Sequence, residues 1–82
     1  MLKLLTAHYV ENFQIRLEFS DATFGDFDGV VLLKRHGSLL EPLRDEIYFQ
    51  RCFIDAGALC WPNGLELSAT RLRENTRLIE TA

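Results

Sequence analysis

Apolar and polar residues alternate most cleanly from Phe13 to Ser20, where Phe13, Ile15, Leu17 and Phe19 take turns with Gln14, Arg16, Glu18 and Ser20. A period of two puts the first set on one face and the second on the other, the pattern of a strand with one wet face. Leu4 to Val10 alternates more loosely, and Glu11-Asn12 offers a two-residue connection in which Asn tolerates a positive φ. Ser20-Asp21-Ala22 then turns the chain toward a third strand near Thr23–Phe27. The first third of the chain therefore predicts an antiparallel meander.

The period changes at Asp28-Gly29. Val30, Val31, Leu32, Leu33, Lys34 and Arg35 lead to His36-Gly37. An acidic cap, apolar residues on a helical face, basic residues in the last turn and a terminal Gly predict a short helix. Leu39 to Leu43 reads as an extended connection, and Asp45 can cap one helical turn through Ile47 and Phe49. Gln50–Ile54 and Ala58–Trp61 predict a second hairpin, with Asp55-Ala56-Gly57 as a three-residue loop. Pro62-Asn63-Gly64 ends that strand, because Pro cannot donate to a ladder and Asn-Gly suits a tight turn.

Ser68 is placed to cap a final helix, with Leu67 and Leu72 as its hydrophobic staple. The expected fold class is α+β: one domain over 1–82, with a small antiparallel sheet of about five strands in β-β-β-α-β-β order. Short helices and a C-terminal helix and tail over 68–82 complete it, with Leu72, Leu78 and Ile79 as the apolar residues of the tail.

Length limits what such a chain can do. At 82 residues it buries only about 60% of its unfolded surface, so its six Phe, two Tyr and one Trp are needed for the core. The formal net charge of −3 argues against binding driven by nucleic-acid phosphates or an anionic membrane. Residues 1–67 carry six Lys or Arg against ten Asp or Glu, and 68–82 carry three Arg against two Glu, too small an excess for a basic arm. Met1 to Leu5 begins like a signal peptide, but Thr6, His8 and Glu11 interrupt the apolar run. The expectation is a soluble, cytoplasmic protein with no membrane segment.

Chemistry-bearing residues are sparse. His8 and His36 lie far apart, and neither has a second His or a Cys at metal-ligand spacing. Cys52 and Cys60, on segments read as neighbouring strands that could face each other across the hairpin, are expected to be reduced, buried small hydrophobes. Asp21, Asp26 and Asp28 lack the spacing of a calcium loop and read as a turn and a helix cap. Gly25 and Gly29 form no phosphate loop. No catalytic, cofactor-binding or metal-binding residue is assigned, and the expectation is a protein that is not an enzyme and takes no cofactor.

Phe19-Ser20-Asp21, Leu43-Arg44-Asp45, Phe49 and Trp61-Pro62-Asn63-Gly64-Leu65-Glu66-Leu67 together resemble the bacterial family catalogued as domain of unknown function 2442. The resemblance runs over about 4–73, and departs at Ala22, where that family usually carries Gly. It implies an α+β domain. Some members are fused to a helix-turn-helix domain, and stand-alone members are often encoded beside another small protein, an arrangement similar to toxin–antitoxin pairs. It carries no catalytic residues. Its motif residues Asp21, Leu43, Asp45, Phe49, Trp61, Pro62, Asn63 and Gly64 are expected to be structural, with Trp61 as a core anchor; its other reading is an interface hot spot.

Arg71, Arg73 and Arg77 are expected on an exposed helix face, where they form a candidate interaction surface. The function expected is a protein-interaction module that associates with itself or with a partner, antitoxin-like, through a strand edge or the C-terminal helix. The alternative is a dimeric DNA-binding regulator using those arginines, a reading that the acidic composition does not favour.

Overall fold

The computed structural model describes residues 1–79. Its first three strands, β1 (Leu4–Tyr9), β2 (Gln14–Phe19) and β3 (Phe24–Asp28), form the expected meander. Ile15, Leu17 and Phe19 are fully buried, as the alternation of β2 requires. The fold is α+β, but the single five-strand sheet is replaced by two antiparallel sheets. One has four strands in the order β1-β2-β3-β7, where β7 is Thr76–Leu78. The other has three, β4 (Phe53–Asp55), β5 (Ala58–Cys60) and β6 (Glu66–Leu67), in sequence order.

Several local expectations shift with this arrangement. The β1–β2 loop is longer than two residues, closed by the Val10 N–H donating to the Gln14 carbonyl at 2.9 Å. Asn12 and Phe13 both take positive φ, 49° and 64°, which removes Phe13 from the strand. That backbone is held by the Phe13 N–H donating to the Tyr9 hydroxyl and by the Phe13 carbonyl accepting the Gly29 N–H. The β4–β5 loop is shorter than expected: Asp55 pairs with Ala58, leaving Ala56 and Gly57, both at positive φ as a type I′ turn requires. Cys60 is paired with Phe53, so Cys52 lies beyond the ladder rather than opposite Cys60, and both thiols are free.

Helix α1 (Gly29–Leu33) starts where expected, with the Asp28 carboxylate accepting the Val30 N–H at 3.0 Å, but ends before Lys34 and Arg35. Only Gly29 and Leu32 are buried in it, and two adjacent β-branched residues add little helix propensity, so nothing sustains a further turn. The segment expected to be extended instead forms a 3-10 turn over Glu41–Arg44, where Pro42 sets φ at the first turn and Leu43 drops into the core. Asp45 caps helix α2 (Glu46–Phe49) by accepting the Ile47 N–H at 3.1 Å.

The C-terminal helix is the largest correction. Ser68 caps α3 (Ala69–Glu74) as expected, accepting the Arg71 N–H, but the helix ends at Asn75 and the chain becomes β7. The Leu72 carbonyl at the helix end accepts both the Asn75 N–H at 3.0 Å and the Thr76 hydroxyl at 2.6 Å. Beyond it the strand satisfies the open edge of β3: the Ile79 N–H donates to the Phe24 carbonyl at 2.9 Å. Leu78 and Ile79 consequently stay exposed, and only Leu72 of the three tail residues joins the core. Residues 80–82, also assigned to that helix and tail, lie outside the described residues. The core joins the buried face of the meander to Leu32, Leu43, Phe49, Leu59, Trp61 and Leu72.

Candidate interaction surface

The sequence motif that stands out most is built into the interior. Trp61 is 1% exposed; its indole N–H donates to the Phe49 carbonyl at 2.9 Å, and its ring lies 5.6 Å from that of Phe49. The Phe13 and Tyr9 rings meet Phe49 edge-on at 5.1 and 6.1 Å. Gly29 closes the same cluster, because a Cβ there would overlap the Phe49 ring and sit 2.6 Å from the Phe13 carbonyl. The Trp61 carbonyl accepts the Gly64 N–H at 3.0 Å, closing a four-residue turn around Pro62-Asn63. Asn63 locks it on both sides: its Oδ1 accepts the Leu65 N–H at 3.2 Å and its Nδ2 donates to the Leu39 carbonyl at 2.9 Å. Every motif residue from Leu43 to Gly64 thus has a packing, capping or turn contact to explain it.

Asp21 also has a local role. Its Oδ1 accepts from the Thr23 N–H and hydroxyl, and its Oδ2 accepts from Arg73 Nη1 at 2.8 Å. These hydrogen bonds, the Thr23 hydroxyl first and Arg73 second, lower its pKa to about 2. Ala22 has φ 69°, a left-handed conformation that suits Gly better than Ala. Burial pushes the Cys52 and Cys60 thiols up, keeping them protonated and poorly nucleophilic near neutral pH.

The three arginines read as one helix face are separated. Arg73 reaches back to Asp21, its guanidinium 5.3 Å from the centroid of the Phe19 ring. Arg77 is on β7, directly across from Asp26 of β3. Arg71 lines a shallow groove with Arg35, over Val31, Leu67 and Leu72. Asp26, in turn, is ion-paired with Arg16 of β2. The outer face of the meander therefore carries a cross-strand row: His8, Arg16, Asp26, Arg77.

Among the described residues β7 is the end strand of its sheet, and the direction of its outward backbone groups follows from the ladder. In antiparallel pairing, hydrogen-bonded pairs alternate with non-bonded ones. Phe24–Ile79 is a bonded pair, so Asp26–Arg77 is the next, and Thr76 and Leu78 turn their N–H and C=O groups away from β3. Leu78 stands across from Gly25, which has no side chain to cover it, and is 43% exposed; Ile79 is 37% exposed. This edge escaped sequence reading because Ser68 and Leu72 set up a helix that was extended too far. The signal available was Thr76-Arg77-Leu78-Ile79 itself, whose β-branched Thr76 and Ile79 favour a strand after the helix-ending Asn75.

Among the described residues no group of three or more His, Cys, Asp or Glu side chains is arranged to hold a metal ion, and no helix is long and apolar enough to cross a membrane. Comparison with protein-family models, with curated proteins and with solved structures finds no match.

Proposed function

We propose that this chain is a non-enzymatic protein-interaction module that docks a partner along the free edge of β7. The supporting observation is the outward-facing backbone of Thr76 and Leu78 beside exposed Leu78 and Ile79, a surface that strand addition would satisfy. The resemblance to the domain of unknown function 2442 family, part of the same proposal, makes the product of an adjacent small gene the first partner to test, in an antitoxin-like pairing. The alternative of a dimeric DNA-binding regulator needs Arg71, Arg73 and Arg77 to act together, and their separation speaks against it.

Leu78→Pro tests the docking edge. It removes an N–H that points outward and leaves the bonds to β3 in place, a position where an edge strand tolerates Pro. The expected result is an unchanged melting temperature with loss of the adjacent gene product in co-purification. Equal recovery by wild type and variant would show that the partner docks elsewhere; a duplex-DNA complex abolished by Arg71→Ala would favour the regulator.

A further inference from the structure

The row of charges on the outer face indicates what kind of strand β7 would accept. Arg16, Asp26 and Arg77 alternate in sign across three adjacent strands. Opposite charges directly across a ladder attract, and like charges repel. A strand added beyond β7 would extend the alternation with an acidic residue opposite Arg77. Because Thr76 and Leu78 provide the outward hydrogen bonds, the position opposite Arg77 falls in a non-hydrogen-bonded pair, where facing side chains come closest. On the other face, Leu78 has Gly25 on one side and no paired strand among the described residues on the other, so an apolar residue opposite it would cover its exposed surface.

The same row disfavours a second copy of this chain. The two-fold antiparallel register that pairs all three residues of β7 with another β7 sets Arg77 against Arg77. Any other two-fold register pairs fewer residues of this short strand.

Resting on the edge-docking reading above, we infer that β7 accepts an extended antiparallel segment of a different protein, with Asp or Glu opposite Arg77 and an aliphatic residue opposite Leu78. The probe is a peptide blocked at both ends and centred on Val-Asp-Thr, compared with one centred on Val-Lys-Thr, each titrated to millimolar concentration into the isotope-labelled chain. The expected result is that the Asp peptide shifts the outward amides of Thr76 and Leu78 and binds more tightly than the Lys peptide by about fivefold, the upper range for a cross-strand charge pair. Arg77→Glu should reverse that preference.

Equal binding of both peptides at β7 would overturn the charge assignment and leave edge docking standing. If neither peptide moves Thr76 or Leu78, edge docking fails as well. Concentration-dependent shifts of those amides without peptide would identify a second copy as the occupant and overturn the inference.

Discussion

Two stretches near the C-terminus, on either side of α3, use their hydrogen-bonding groups in opposite ways. From Trp61 to Ser68 the turn is tied inward: the indole is bonded to Phe49, Asn63 to Leu39 and Leu65, and Ser68 to the first turn of α3. From Thr76 to Ile79 the chain fastens one side to β3, and the other side pairs with no strand among the described residues. The most distinctive residues of the sequence are thus engaged in holding the fold. A stretch with no distinctive motif turns backbone groups outward, at Thr76 and Leu78.

The strongest way to break that contrast is Trp61→Ala. Truncating a buried aromatic costs roughly 3–5 kcal/mol, against a total of about 5–15 kcal/mol for a native domain. It also leaves the Phe49 carbonyl without its donor. The expected outcome is an unfolded or molten chain with loss of near-ultraviolet circular dichroism. A variant that kept its melting temperature but lost its partner would turn the Trp61 segment from an anchor into a binding site.

Gly25→Ala sharpens the other side. A Cβ there would overlap the Arg77 carbonyl and lie 2.8 Å from the Leu78 Cα, so β7 must move. Backbone displaced by a single added carbon costs roughly 1–3 kcal/mol. The expected outcome is faster amide exchange at Arg77 and Ile79, which donate toward β3, with the Trp61 indole still protected. Uniform loss of protection would mean that the edge and the anchor unfold as one unit.

How much of this was legible in the sequence follows from the range of the forces involved. Asp28, Asp45 and Ser68 were readable as caps because each accepts an N–H two or three residues ahead. The face of β2 was readable because alternation and burial coincide. The tail was not, because its conformation depends on Gly25 and Phe24, some fifty residues away along the chain, leaving room and a carbonyl for β7. The split into two sheets was missed for the same reason: β6 pairs with β5 through a turn that reads equally well as the approach to a helix cap. The candidate arginines went to three places because one helix face was assumed for residues that span a helix, a cap and a strand.

The smallest effect lies where the tail is tied back to the meander, at Asp21 and Arg73. The native pKa of Asp21 is lowered to about 2, against about 3.9 for an unperturbed Asp. A depressed carboxylate pKa stabilises the fold above the unfolded value, and that contribution is lost as pH falls through the native one. Melting temperature should therefore hold down to about pH 4 and slip between there and about pH 2, with α3 loosening from the Asp21 turn. The leading cause is the Thr23 hydroxyl and the next is Arg73, so Thr23→Val should raise the carboxyl pKa more than Arg73→Ala. High salt separates the two, since it screens an exposed ion pair and leaves a neutral hydroxyl hydrogen bond largely intact. A carboxyl titration in which salt removes most of the shift would make Arg73 the main partner of Asp21, and the tail rather than the turn the source of its low pKa.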